Sequence, residues 1–144
     1  MGALVVAPVR LVPGRFRSVG DVIAAVLAAN QAFYDAHEHR DLAAMRGVWE
    51  HHDRTVCVHP GWPILRTWPV IEASWQRIFD GPGRSQFILT NEAVAIDGDV
   101  AWVTLEENLV DTGATGAVAA TNMFALGPEG WKLVVHHGSP IVGR

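Results

Sequence analysis

The chain has 144 residues, which is enough for one domain that buries roughly 70% of the surface exposed by its unfolded form. Its composition, 49% hydrophobic and 18% charged, is typical of a globular domain and excludes a disordered chain. The formal net charge is −4 and the only lysine is Lys132, so the chain lacks the clustered basic side chains that nucleic-acid phosphates require.

Residues 1–17 read as an N-terminal arm that precedes a single domain at residues 18–144. Pro8 and Pro13 interrupt the apolar run of the arm, and its arginines follow that run, which is a poor secretory signal. No stretch approaches the roughly 18 consecutive apolar residues of a membrane span. The single cysteine, Cys57, excludes an internal disulfide. We therefore expect a cytoplasmic protein that does not bind membranes.

Three helices are predicted in the first half of the domain. Residues with helical spacing run from Val22 to His37, with Ser18 or Asp21 as the N-cap, and they predict one long amphipathic helix. A short helix follows, with Asp41 as its N-cap. A third helix begins near Thr67 and ends before the first glycine of the Gly-Pro-Gly segment at 81–83.

The strands are predicted mainly in the second half. One short strand at 54–59 precedes the third helix. Four longer strands follow it, and they cover Ser85–Ile96, Val100–Val110, Ala117–Leu126 and Trp131–Ser139. Consecutive strands joined by short turns form an antiparallel meander. The predicted fold class is therefore α+β, with the helices covering one face of a curved sheet.

Motifs at five places give the chain a family resemblance. They are Asn30-x-x-Phe33-Tyr34, Cys57–Trp62 followed by Trp75 and Ile78, Gly98–Thr104, Thr121-Asn122-x-Phe124, and Gly130–Pro140. In this order they resemble the nuclear transport factor two-like superfamily, and most closely its SnoaL-like branch. The resemblance implies a cone-shaped barrel, in which a bent sheet wraps around the long first helix and encloses a hydrophobic pocket. It leaves function open, because the superfamily includes isomerases, cyclases and dehydratases as well as non-enzymatic association modules.

The strand from residue 100 offers a candidate acid–base residue for ketosteroid isomerase-like chemistry, which uses a carboxylate in an apolar cavity. Strict alternation lets only one of two adjacent glutamates, Glu106 and Glu107, point inward. We select Glu106 because it shares a face with Trp102; the alternative is that Glu106 lies at a solvated or interface edge. The opposite, outer face would then carry an apolar row that a homodimer covers, namely Ala101, Val103, Leu105 and Ala119.

Two histidines at strand ends are further catalytic candidates. His59 ends its strand, and alternation places His137 on the same face as Trp131, Leu133 and Val135. An imidazole at a pocket mouth acts as a general base or a hydrogen-bond donor near neutral pH. The alternative is that each histidine satisfies a backbone group or packs against an indole ring. The predicted catalytic set is therefore His59, Glu106 and His137.

Aromatic and amide side chains on the predicted elements are candidates for a ligand pocket. The predicted pocket residues are Tyr34, Trp62, Trp75, Trp102 and Asn122. Core packing alone is the alternative explanation for the aromatic residues. The seven histidines lack metal-ligand spacing, and no nucleotide motif occurs, so we expect no metal and no cofactor.

Two functional hypotheses follow from these observations. In the first, the protein acts on a small apolar molecule by general acid–base chemistry of the isomerase, cyclase or hydratase type. In the second, it is a non-catalytic association module, or a module that binds an effector.

Overall fold

The computed structural model describes residues 2–3, 16, 18–111 and 114–143. The elements, in chain order, are β1 (Gly2–Ala3), α1 (Val19–His39), α2 (Leu42–Val48), β2 (Val56–Val58), β3 (Leu65–Arg66), α3 (Trp68–Asp80), β4 (Phe87–Asp97), β5 (Val100–Asp111), β6 (Ala114–Gly127) and β7 (Gly130–Pro140). This order confirms the α+β class. Most of the predicted arm at residues 1–17 lies outside the described residues.

The helices begin where the capping side chains predict. The Ser18 hydroxyl accepts a hydrogen bond from the backbone N–H of Asp21 at 3.1 Å, at the start of α1. The Asp41 carboxylate accepts one from the N–H of Ala44 at 3.0 Å, at the start of α2. Each cap satisfies a backbone donor that has no partner within its helix. The third helix follows Thr67, which itself adopts a left-handed φ of 71°.

The strands form one mixed sheet. Within the described ranges its order is β1-β4-β5-β6-β7-β2-β3. Strands β4 to β7 form the antiparallel meander predicted from the sequence, whereas β2 runs parallel to β7. The two edge strands, β1 and β3, are at opposite ends of this order. The sheet is therefore curved but open, and the prediction of a cone-shaped barrel is wrong in that the described strands do not close.

Helix α1 packs against the inner face of the sheet, where it contacts β4, β5 and β7. Phe33 is fully buried and lies at the centre of this core. Its ring meets the rings of Tyr34 and Trp75 edge-on, at centroid distances of 5.0 and 5.6 Å. None of the described helices is long and apolar enough to cross a membrane.

The inner face of β5 is the opposite of the predicted one. Its inward-facing residues are Ala101, Val103, Leu105 and Glu107, which are all buried. Trp102 and Glu106 lie on the outer face and are partly exposed. Alternation separates the two sets of side chains, but it does not say which set faces α1. The prediction that Trp102 and Glu106 point inward is therefore wrong. The prediction that Ala101, Val103 and Leu105 form an apolar row on the outer face is wrong for the same reason.

A β-bulge corrects the prediction for β7. Met123 pairs with Val135 and the next residue, Phe124, pairs with Leu133, so one residue of β7 is extra. A bulge of this kind shifts the alternation of the strand. As a result His136 is buried with Leu133 on the inner face, whereas His137 is exposed on the outer face. The prediction that His137 shares a face with Trp131 and Leu133 is therefore wrong.

The close approach of β7 to the segment after β2 requires a glycine at position 138. A Cβ atom there would lie 3.0 Å from Cγ of Pro60 and 3.1 Å from Cγ1 of Val118. We expect Gly138→Ala to lower the free energy of unfolding by about 1–3 kcal/mol, because overpacking forces neighbouring atoms to shift. Urea denaturation measures the change.

Gly116 provides the matched control, because it also lies in the sheet and a Cβ there meets no atom of the described residues within 4 Å. We expect Gly116→Ala to be neutral or to stabilise the protein by up to about 1 kcal/mol. Equal losses of stability in both variants would contradict the packing explanation.

Candidate functional site

A buried tyrosine–glutamate pair joins α1 to β5 on the inner face of the sheet. The Tyr34 hydroxyl donates a hydrogen bond to Oε2 of Glu107 at 2.6 Å. Tyr34 is 1% exposed and Glu107 is 5% exposed, so the pair is shielded from water. In such a low-dielectric setting a hydrogen bond to a carboxylate is both strong and short.

Polar side chains from α1, β4, β6 and β7 extend this pair into a network. Nδ2 of Asn122 donates to the Tyr34 oxygen at 3.0 Å and to Oδ1 of Asn30 at 2.9 Å. Nδ2 of Asn30 donates to Oε1 of Glu92 at 3.1 Å. On the other side, Oδ1 of Asn122 lies 2.6 Å from Nδ1 of His136. Asn30 and Asn122 are completely buried, so these contacts replace the water they would otherwise bind.

Burial sets the protonation of the groups in the network. It raises the pKa of the Glu107 carboxyl from 4.5 to about 7, although the hydrogen bond from Tyr34 opposes this shift. Burial and the nearby charge of Glu107 raise the pKa of Tyr34, which therefore keeps its proton. Burial and the neighbouring histidines lower the pKa of His136 well below 6.5, so its ring is neutral.

A second buried histidine lies beside this network. Nε2 of His59 is 2.8 Å from Oγ of Ser74, and the Ser74 hydroxyl donates to the carbonyl oxygen of Ile71 at 2.6 Å. Since Ser74 has only one proton, His59 is the donor to its oxygen. Burial and His37 lower the pKa of His59 to about 4. Burial also raises the pKa of the Cys57 thiol, so this cysteine is not an activated nucleophile.

The structure separates the three residues predicted to be catalytic. His59 is buried on the inner side, but Glu106 and His137 line a cavity of about 460 Å³ on the outer face of the sheet. The three side chains therefore do not form one site. The sequence analysis chose Glu106 over Glu107 and His137 over His136, and in each pair the other residue is the one that faces inward.

Three of the predicted pocket residues belong to the inner cluster, which consists of the hydrogen-bonded network and the buried rings around it. Tyr34 and Asn122 are hydrogen-bonded to each other, and the Trp75 ring lies 4.6 Å from that of His59. Trp62 is half-buried at the edge of the cluster, 4.8 Å from the His59 ring. Trp102 lies on the outer face instead.

One end of the cluster adjoins an opening between α1 and α3. A cavity of about 150 Å³ is lined there by His37, Arg40, Phe79 and the 82–85 segment. The Phe87 ring lies between this opening and the network, at 4.7 Å from the His37 ring and 5.5 Å from the Tyr34 ring. The buried indole nitrogen of Trp75 has no hydrogen-bond partner among the described residues. In the described part of the chain, no three His, Cys, Asp or Glu side chains are grouped to hold a metal ion.

The comparison with known proteins agrees with the fold. The sequence model of the SnoaL-like domain family matches residues 26–143, so the chain belongs to this family. A proposed dehydratase of the NTF2-like family from Streptomyces avermitilis is 32% identical, with a TM-score of 0.82 over 88% of this chain and 100% of that one. The superfamily and the SnoaL-like branch indicated by the five sequence motifs are thereby confirmed.

Two other relatives have different descriptions. A proposed calcium/calmodulin-dependent protein kinase type II association domain from Thiobacillus denitrificans is 33% identical, with a TM-score of 0.70 over 80% of this chain and 94% of that one. The F-box protein SKIP8 of Arabidopsis thaliana is 29% identical over 115 residues, which are 80% of this chain and 49% of that protein. The chain thus spans about half the length of this curated relative.

The raised pKa of Glu107 gives a testable pH dependence of stability. Its contribution to the free energy of unfolding is fully present below pH 4.5 and is lost as the pH rises through about 7. The expected loss is about 3 kcal/mol, at about 1.4 kcal/mol for each pKa unit. Glu107→Gln removes this titration, while other ionisable groups remain common to both proteins. Urea denaturation at pH 4 to 8 measures the difference; a difference that does not vary with pH would contradict the raised pKa.

Proposed function

We propose that this SnoaL-like domain binds a small, largely apolar molecule and carries out general acid–base chemistry of the isomerase, cyclase or hydratase type. The observation that carries the proposal is the buried pair of Tyr34 and Glu107, hydrogen-bonded at 2.6 Å beside His136 and Asn122. Two acid–base groups and a hydroxyl donor in an apolar surrounding are the groups that such chemistry needs.

Each group has a distinct chemical role. Glu107, with a pKa of about 7, populates both its protonated and its ionised form near neutral pH, so it gives or takes a proton. The neutral ring of His136 accepts a proton on the nitrogen that does not face Asn122. When Glu107 is protonated, it is a weaker acceptor for the Tyr34 hydroxyl, and a substrate oxygen on which negative charge develops then competes for that donor.

The surroundings of the pair favour an apolar substrate. The rings of Phe33, Phe87 and Trp75 pack around the network, and the opening beside His37 provides a route of entry once the Phe87 ring moves. The unpartnered indole nitrogen of Trp75 supplies one further donor for a ligand. The similarity to a proposed dehydratase supports a reaction in which water is removed or added.

A fragment screen read by NMR tests this proposal. We expect apolar fragments with one carbonyl or hydroxyl oxygen to shift the backbone signals of Tyr34, Glu107 and His136. Glu107→Gln should weaken the binding of the hydroxyl fragments by at least about tenfold, because these fragments donate to the carboxylate and a lost hydrogen bond to a charged group costs about 1.5–3 kcal/mol. The control is Glu129→Gln, at an exposed turn between β6 and β7. Fragments that bind only at other sites would contradict the proposal.

The second candidate function is self-association through the outer face of the sheet. Trp102, Met123 and Val135 pair across β5, β6 and β7 and form one half-buried apolar stripe. A second copy of this chain would cover the stripe, and the similarity to a proposed association domain supports such an assembly. This stripe replaces the outer row of Ala101, Val103 and Leu105 predicted from the sequence.

A charge placed in the stripe tests self-association. We expect Trp102→Glu and Met123→Glu to convert the assembly to monomers, because a carboxylate in an apolar interface loses its hydration without gaining a partner. Native mass spectrometry measures the subunit number, and circular dichroism checks that each variant folds. Val142→Glu is the control, since Val142 is 91% exposed after the last strand. A wild-type monomer, or variants that keep the wild-type assembly, would contradict this candidate.

A further inference from the structure

The hydrogen bonds of the network form a chain that starts at Glu92 and ends at His136. A bulge in β4 between Thr90 and Ala93 contains Asn91, whose φ of 54° lies in the left-handed region. A bulge of this kind changes the direction in which a side chain points, compared with a regular strand. Here the Glu92 carboxylate meets Nδ2 of Asn30 on α1, at 3.1 Å.

Each member of the network fixes the orientation of the next. A carboxylate offers only acceptors, so Asn30 must present its NH₂ group to Glu92 and its Oδ1 to Asn122. Asn122 must then donate from Nδ2 to Asn30, at 2.9 Å, which turns its Oδ1 toward His136. Because Oδ1 of Asn122 only accepts, Nδ1 of His136 must carry the ring proton, and Nε2 is left with its lone pair.

Burial makes a flipped amide unfavourable, that is, one in which Oδ1 and Nδ2 of Asn30 or Asn122 exchange places. Both asparagines are fully buried, and His136 is 3% exposed. If one amide were reversed, two donors or two acceptors would face each other with no water to relieve them. The Tyr34 oxygen, which accepts from the same Asn122 NH₂ group at 3.0 Å, adds a second contact that the reversed amide would lose.

We propose that Glu92 is a positioning residue, which acts through Asn30 and Asn122 to hold His136 in the Nδ1–H tautomer, with Nε2 as the proton acceptor. The inference rests on the proposed function only in that it assigns His136 the role of the base. Glu92 itself does not touch the reacting atoms. It sets the tautomer of a ring that the chain order places 44 residues away.

The tautomer of His136 is measured by ¹⁵N NMR of the imidazole nitrogens, in protein without ligand. We expect Nδ1 to show the shift of a protonated nitrogen and Nε2 that of an unprotonated one, with this tautomer in at least about tenfold excess. The signals of His136 are assigned by their loss in His136→Gln. A wild-type ring protonated on Nε2 would overturn the proposal. The assignment requires that His136→Gln keeps the wild-type fold, which circular dichroism checks.

Two substitutions of Glu92 test its part in the effect. The amide introduced by E92Q can present either a donor or an acceptor to Asn30, so we expect a mixture of His136 tautomers. The ammonium introduced by E92K offers only donors, so we expect the population of the Nε2–H tautomer of His136 to increase. E129Q is the control for the loss of a carboxylate and should leave the ring signals unchanged. Wild-type tautomer populations in both folded Glu92 variants would overturn the role of Glu92, while leaving the acid–base proposal to its own fragment screen.

Discussion

The hydrogen bond between Tyr34 and Glu107 ties the long helix to the centre of the sheet, and the inner polar network depends on it. An unpaired carboxyl on that face of β5 would carry the full cost of its desolvation. The tyrosine hydroxyl offsets part of this cost, and Asn122 in turn satisfies the tyrosine oxygen. Burial raises the pKa of this carboxyl to about 7, and the hydrogen bond that makes the carboxyl tolerable in the core opposes that rise.

The aromatic shell and the polar network depend on each other. Phe33 contacts the rings of Tyr34, Trp75 and His136, so it excludes water from both sides of the network. Exclusion of water strengthens each hydrogen bond, and it also keeps His136 uncharged. A smaller residue at position 33 would therefore alter the protonation of the site as well as its packing.

The sequence predicts the elements of this fold well because local chemistry determines them. Ser18 and Asp41 cap their helices by contacts within three residues, and the spacing of apolar residues marks the buried side of α1. The side of β5 that faces α1 depends on packing between distant segments, such as the Tyr34–Glu107 contact across 73 residues, which alternation does not contain. The bulge in β7 is likewise a property of pairing with β6. One signal was present: Asn30 and Tyr34 interrupt the apolar side of α1 with polar groups that require partners on the sheet.

Adjacent residues on β5 and β7 face opposite sides, so the two functional hypotheses do not compete for the same side chains. Glu107 and His136 face the core, whereas Glu106 and His137 line the outer cavity. Because the backbone of a strand is shared by both faces, an assembly that flattens or bends the outer face would move the inner pair with it. The proposed substrate chemistry and the proposed self-association are therefore compatible, because they use side chains on opposite faces of the same strands.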